Sequence, residues 1–137
     1  MAQQLSEDEL RQIVSGLAKL DPGLLPFEIF HQFARLAVMP VIEVVPFRTN
    51  PDGNIEILLI SRSANDPNWP NQLHVPGTVI RSTDQLDSYK SAFHRIFDGE
   101  LQKVKVSEPV FVQNLLHHSG RGVETSQIHW VEVYGES

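Results

Sequence analysis

The sequence predicts a mixed α/β domain of the α+β kind, in which helices pack on a sheet with at least one antiparallel strand pair. Apolar residues recur at helical spacing in two N-terminal segments, and β-branched residues are concentrated in short runs further along. A third amphipathic helix lies between the early and the late runs. At 137 residues the chain has the length of one domain.

Residues 1–39 are predicted to form a helical hairpin that packs on the core or on a partner subunit. Ser6 and Glu9 have the spacing of a capping box, and apolar residues follow at helical spacing until Asp21-Pro22-Gly23 stops the helix. Pro26 lies in the first turn of a second helix that carries three phenylalanines. Such a cluster belongs more often to a core than to a ligand site.

Residues 40–137 are predicted to form the main domain around the sheet. The predicted strands are 41–47, 55–61, 73–75, 110–116 and 128–134. Residues 50–53 have the composition of a turn, and the second half of 55–61 is apolar on both faces, as in a strand sandwiched between layers. Residues 117–126 are predicted to be a flexible polar loop.

A Pro-Gly turn and a polar loop lead into the third helix. Its apolar stripe consists of Leu86, Tyr89, Phe93, Ile96 and Phe97. The opposite side carries charged groups, among them His94, Arg95 and Asp98. A helix of this kind behind a glycine loop can serve as a metal or phosphate platform, and the same pattern also describes an ordinary surface helix.

Composition narrows the function classes. A formal net charge of −6 argues against binding to nucleic acid, which requires clustered Lys and Arg. Because cysteine is absent, metal ligands must be carboxylate, imidazole or carbonyl groups, which favours hard cations such as Mg²⁺. The N-terminus is acidic, and charges and Pro40 interrupt the apolar region 24–47, so a cytoplasmic protein without a membrane span is expected.

Three features in order resemble a Nudix domain of the MutT-like hydrolase superfamily. They are an apolar strand ending at Arg62, the segment WPNQLHVPG at 69–77, and the amphipathic helix that follows. Members of this family carry an LLvqR strand, a W-x-l-P-G-G turn and the box G-x(5)-E-x(7)-R-E-U-x-E-E-x-G-U, where U is a bulky aliphatic residue. In that box the carboxylates share one side of a helix and bind Mg²⁺, which neutralises a diphosphate and activates water.

The box is degenerate in this sequence. Thr78 follows Gly77 where many members have a second glycine, and the family spacing places Thr83 at the first acidic position. The helix fits in two registers. With His94 at the arginine position Asp98 is the remaining acid of the R-E-U-x-E-E segment, and with Arg95 there the remaining acid is Glu100.

The resemblance therefore implies a catalytic and metal site at Asp98 or Glu100, reduced to one carboxylate. Some Nudix enzymes use a base outside the box, for which Glu124 and Glu132 are candidates. The candidate ligand-binding residues are Arg62, Trp69, Gly77, Arg81, Arg95 and Arg121. The structural alternatives are arginines that neutralise nearby acids, a tryptophan lid over the core and a flexible hairpin tip.

Three functions remain open. The first is a Nudix-fold protein with weak or no hydrolase activity that binds a nucleotide-like small molecule or a partner. The second is a divergent but active Mg²⁺-dependent hydrolase of nucleoside diphosphates linked to another group. The third is a homodimeric interaction module built on the helix that contains Phe30 and Phe33.

Overall fold

The computed structural model describes residues 4–84 and 89–136. Its elements in these ranges are α1 (Glu7–Leu17), α2 (Phe27–Leu36), β1 (Met39–Thr49), β2 (Ile55–Ile57), β3 (Ile60–Ser61), β4 (Leu73–His74), β5 (Gly77–Val79), α3 (Lys90–Gly99), β6 (Val104–Val106), β7 (Val110–Ser119) and β8 (Gly122–Glu136). The α+β class is confirmed. Leu86, the first position of the predicted third helix, lies outside the described residues. Within them, no helix is long and apolar enough to cross a membrane.

A mixed sheet forms the body of the molecule. β1 and β8 pair in parallel from Met39–Glu124 to Phe47–Glu132. β1 also pairs antiparallel with β2 and β5, and β8 pairs antiparallel with β7 and β6. β3 and β4 form a separate two-stranded ribbon. The predicted antiparallel pairing is confirmed, and the parallel pair brings an N-terminal strand beside the last one.

The core lies between α3 and one face of the sheet. Ile42, Val44 and Val131 from the strands are fully buried with Ala92 and Ile96 of α3. Because side chains alternate along a strand, β1 sends these apolar residues to α3 and sends Val41 and Glu43 to the opposite face. That opposite face carries the candidate site.

The two N-terminal helices differ in how they pack. The predicted capping box is present, because Ser6 Oγ accepts from the Glu9 N–H and Glu9 accepts from the Ser6 N–H, each at 3.1 Å. The helix α1 nevertheless has no buried residue. The helix α2 buries Ala34 and packs on β8. Of the predicted hairpin, α2 is thus the part that covers the sheet.

Two predictions about the strands were wrong. Residues 55–61 are broken into β2 and β3 around the exposed Leu58 and Leu59, and Ile55 is 70% exposed, so this segment is not sandwiched between layers. Residues 117–126 are a tight hairpin rather than a flexible loop, since Ser119 pairs with Gly122. The short strands β5 and β6 were not predicted.

Candidate functional site

A polar cavity of about 370 Å³ opens on the face of β1 and β8 that is turned away from α3. Its polar and glycine lining includes Glu43, Arg62, Trp69, His74, Gly77, Thr78, His117, Arg121 and Glu124. Strands β1, β5, β7 and β8 supply the floor and walls, and residues 62–75 supply the rim. The topology therefore gathers residues that are up to 81 positions apart, from Glu43 to Glu124.

Two glutamates lie in this cavity. Glu124 is 5% exposed, and its Oε2 accepts from Arg121 Nη2 at 2.7 Å and from Arg121 Nε at 3.0 Å. Burial raises the pKa of Glu43, an effect that His117 opposes and that the nearby Glu124 carboxylate reinforces. A partly buried acid with a raised pKa in a cleft is a candidate functional group.

Two arginines flank the indole of Trp69. The guanidinium carbon of Arg62 lies 4.8 Å from the Trp69 ring centroid, and that of Arg121 lies 5.2 Å away. The hairpin tip also touches this ring, because a Cβ on Gly120 would lie 3.1 Å from Trp69 Nε1. Arg62 and Arg121 thus present two guanidinium groups at one wall of the cavity, and each is also paired with a carboxylate, that of Asp66 or Glu124.

Asp66 holds the loop that carries Trp69. Its Oδ1 accepts from the backbone N–H groups of Trp69 at 2.8 Å and Asn68 at 2.9 Å, and Arg62 Nη1 donates to its Oδ2 at 3.3 Å. The backbone bonds from Trp69 and Asn68 lower the pKa of Asp66. Trp69, a predicted ligand-binding residue, and its neighbour Arg62 are therefore both bonded to one carboxylate that was not singled out in the sequence.

Glu100 reaches the glycine turn. Its Oε1 accepts from the Gly77 N–H at 3.2 Å, and its Oε2 lies 3.7 Å from His74 Nε2. β5 approaches β1 closely at this point, since a Cβ on Gly77 would lie 3.0 Å from the Ile42 carbonyl oxygen and 3.2 Å from Glu43 Cγ. Of the two registers of the box, the one that retains Glu100 has its acid at the turn.

The other predicted residues of the helix and its loop lie elsewhere. Asp98 is exposed and does not line the cavity. Arg95 donates from Nη1 and Nη2 to the two oxygens of the buried Asp84, each at 2.8 Å, and also from Nη2 to the Val79 carbonyl at 3.1 Å. Arg81 lines a neighbouring apolar cavity, and its backbone N–H donates to Asp84 Oδ2 at 2.7 Å.

The carboxylates at this cavity and at the adjoining glycine turn do not by themselves form a magnesium site. Glu100 is bonded to Gly77, Glu124 is paired with Arg121, and burial raises the pKa of Glu43. Among the described residues no group of three or more His, Asp or Glu side chains is placed to hold a metal ion. Mg²⁺ requires a near-octahedral set of oxygen ligands, which these side chains do not supply.

Sequence reasoning missed Glu43, His74 and Asp84. Glu43 had a usable signal, because it is a single acid inside the strand VIEVVPF, where alternation assigns it to the face opposite the core. Asp84 had no local signal, since its partner Arg95 is on another element. Thr83, the position given by the family spacing, is exposed, while the adjacent Asp84 is buried.

No protein-family model and no curated protein matches this sequence. Solved structures do match its fold. The Ap4A hydrolase of C. elegans is 15% identical, with a TM-score of 0.50 over 71% of this chain and 69% of that one. The Nudix domain of Shewanella oneidensis NrtR, solved with ADP ribose, is 17% identical, with a TM-score of 0.51 over 90% of this chain and 80% of that one.

A third solved structure, a MutT/nudix family protein from Enterococcus faecalis, is 13% identical, with a TM-score of 0.50. The match covers 97% of this chain and 53% of that protein, so the present chain spans about half its length. At these identities the likeness concerns the fold alone. The fold defines the class: this is an α+β protein with a Nudix-like fold.

Proposed function

We propose that this protein binds a phosphate-bearing, nucleotide-like small molecule in the polar cavity and has weak or no hydrolase activity. The observation that carries the proposal is that Arg62 and Arg121 both lie beside the Trp69 ring, in a cavity whose lining also includes Gly77. We place this function in the cytoplasm, as expected from the sequence.

The cationic wall suits a phosphate group. Guanidinium groups form charge-assisted hydrogen bonds to phosphate oxygens, and Trp69 adds an aromatic surface beside them. Glu124 holds the Arg121 side chain through its Nε and Nη2 atoms, which limits the rotamers that a ligand would otherwise have to order. The NrtR Nudix domain, a neighbour in fold, is described in complex with ADP ribose, which supports a nucleoside-diphosphate type of ligand here.

The arrangement of the acids supports weak or absent hydrolysis. The metal-binding carboxylates of the resembled family share one helix side, whereas here neither Glu100 nor Asp98 lines the cavity. Glu100 lies at the Gly77 turn, and Asp98 is exposed. Glu124, the candidate base, has its charge engaged by Arg121. To activate water near a bound phosphate, Glu100 would have to give up its bond to Gly77, or Glu124 its ion pair with Arg121.

A divergent active hydrolase is the second candidate. The observation that favours it is Glu43, whose pKa is raised by burial in the same cavity. In this alternative Asp98 or Glu100, together with the phosphates of the substrate, holds Mg²⁺, and Glu124 or Glu43 acts as the base.

Binding is tested by calorimetric titration of ADP-ribose and adenosine into the wild type, Arg62→Met and Arg48→Met. Arg48 is the matched control, because it is an exposed arginine paired with Glu56 outside the cavity. We expect ADP-ribose to bind more tightly than adenosine, and Arg62→Met to weaken ADP-ribose binding by about tenfold, or 1.4 kcal/mol. Equal binding to both arginine variants, or none to the wild type, would contradict the proposal.

Hydrolysis is tested with the same compound, dinucleotide polyphosphates and nucleoside triphosphates in Mg²⁺ or Mn²⁺. We expect product release no faster than that of the Asp98→Ala/Glu100→Ala double variant. Metal-dependent turnover that disappears in the double variant would establish the second candidate instead.

A further inference from the structure

A second cavity, of about 660 Å³, adjoins the polar cavity. It lies between the α1–α2 linker, the first turns of α2 and the chain from β5 to residue 82. Its apolar walls include Leu24, Leu25, Phe27, Phe30, Met39 and Ile80. We refer to this space as the apolar compartment.

The two cavities are adjacent and share part of their lining. Thr78, Val79 and Arg121 line both of them. Arg121 lies at their boundary, with its guanidinium carbon 5.1 Å from the Phe30 ring centroid and 5.2 Å from that of Trp69. A molecule that places an anionic group at Arg121 therefore lies directly beside the apolar compartment.

The linker between α1 and α2 forms the outer wall of the compartment, and its Gly23 lies close to Thr83. Gly23 has φ +121°, a conformation that favours glycine, and a Cβ there would lie 3.7 Å from Thr83 Oγ1. Next to it Leu24 is 76% exposed and Phe27 is 53% exposed, although both line the compartment. The walls thus present apolar surface to water that an apolar ligand group would cover.

Hydrogen-bonding groups are few on these walls. The polar side chains there are those of Thr78, Arg81, Ser82 and Arg121, and Arg121 already donates to Glu124. A ligand group rich in donors and acceptors would lose its bonds to water here without replacing most of them, which costs free energy. The chemistry of the walls suits a hydrocarbon group.

We propose that the apolar compartment binds an alkyl or aryl group of the same ligand whose phosphate lies in the polar cavity. This inference rests on the proposed function and narrows the ligand to an amphiphilic phosphate ester or diphosphate ester. The phosphate lies on the Trp69 side of Arg121, and the hydrocarbon lies on the Phe30 side.

The test compares methyl phosphate, octyl phosphate and phenyl phosphate, which share one head group, in titrations followed by calorimetry or NMR. The variants are Leu24→Asp and Phe27→Ser in the compartment, and Leu36→Asp as the control. Leu36 is also an exposed apolar residue of the N-terminal helices, since it ends α2 and is 70% exposed, but it does not line the compartment. Thermal melting of each variant checks that it is folded.

We expect octyl phosphate to bind the wild type at least about tenfold more tightly than methyl phosphate, since each buried methylene group contributes to affinity. The ratio of octyl phosphate affinity to methyl phosphate affinity should fall close to one in Leu24→Asp and Phe27→Ser and stay unchanged in Leu36→Asp. Methyl phosphate affinity should be unaltered in all three variants. Phenyl phosphate reports whether a ring is accepted as well as a chain.

A ratio near one in the wild type would overturn the inference, and so would an octyl preference that survives both compartment variants. Octyl phosphate binding that depends on Leu24 without any methyl phosphate binding would support the compartment and count against the phosphate site. Absence of binding by all three esters would overturn both proposals.

Discussion

At the scale of single residues, Glu43 is the acid most affected by its surroundings in the polar cavity. Burial raises its pKa above the ordinary value of 4.5, and the effect of His117 opposes this only in part. Ionisation of Glu43 therefore costs stability. The cost is absent below the pKa of the unfolded chain and is complete above the pKa of the folded protein.

We expect Glu43→Gln, which resembles the protonated acid, to raise the Tm at pH 7. The gain over wild type should shrink toward zero as the pH falls to about 4, where the wild-type acid is protonated in both states. Calorimetric melting across this pH range measures it. Glu108→Gln on the surface should show no such trend, and a Tm gain that is constant with pH would contradict the assigned cause.

Asp84 is the second residue whose surroundings determine its contribution to the stability of the protein. It is 1% exposed and receives two 2.8 Å bonds from Arg95, which lower its pKa below the ordinary value of 3.8. The pair joins α3 to the chain after β5. Its stabilisation is present above the unfolded-chain pKa and is lost as the pH falls through the folded-state pKa.

Asp84→Asn is expected to lower the free energy of unfolding by about 2–4 kcal/mol at pH 7, because it leaves the Arg95 charge without its carboxylate partner. Urea denaturation measures the loss, which should diminish below pH 3.8. Asp52→Asn in the exposed 50–53 turn is the control, with an expected change within about 0.5 kcal/mol. A loss of that small size in Asp84→Asn would mean that the ion pair contributes little.

At the scale of elements, the β7–β8 hairpin delivers Arg121 and Glu124 to the site. Gly122 begins β8 and allows α2 to approach, because a Cβ at this position would overlap the Ala34 carbonyl oxygen. Its φ of +152° also lies outside the range that other residues readily adopt. One glycine thus determines both the turn and the contact between helix and sheet.

We expect Gly122→Ala to destabilise the protein by about 2 kcal/mol or more, since backbone atoms of α2 would have to move. Chemical denaturation measures this, and weaker ADP-ribose binding should accompany it because Arg121 shifts with the turn. Gly99→Ala is the matched control, as no atom lies within 4 Å of the added Cβ. Equal stability of the two variants would contradict the close packing described for Gly122.

At the scale of the whole molecule, apolar surface is left uncovered in the described part of the chain. On α2, Phe33 is 39% exposed and Leu36 is 70% exposed, while on the edge strand β7 Leu116 is 71% exposed. Patches of this kind often mark protein interfaces. The homodimer expected from the sequence therefore stays a prediction with two candidate surfaces.

We expect Phe33→Glu to weaken dimerisation by at least about tenfold and to leave ligand affinity unchanged, because a charge would be buried in the interface. Sedimentation equilibrium measures the dissociation constant. Phe30 is unsuitable for this test, since its ring lies 5.1 Å from Arg121 of the site. A monomeric wild type would refute the homodimer, and dissociation by Leu116→Glu alone would move the interface to β7.

The sequence predicted many of the residues that line the candidate site, but it predicted little of how they are arranged in space. Arg62, Trp69, Gly77, Arg121 and Glu124 were named beforehand, and all of them line one cavity. Their roles in binding or catalysis stay predictions. Asp98 and Glu100 were equivalent in the sequence because a one-residue shift of a degenerate box changes little locally, and the fold places Glu100 alone of the two at Gly77.

The sequence by itself determined the features that depend on near neighbours along the chain. These include the capping box at Ser6, the β-branched strand at 41–47 and the turn in which Asn50 Oδ1 accepts from Asp52 and Asn54. Only the tertiary structure decided that 55–61 breaks, that Glu43 faces the site and that Arg95 pairs with Asp84. Burial and ion pairing depend on partners from distant segments, and no local pattern of residues specifies those partners.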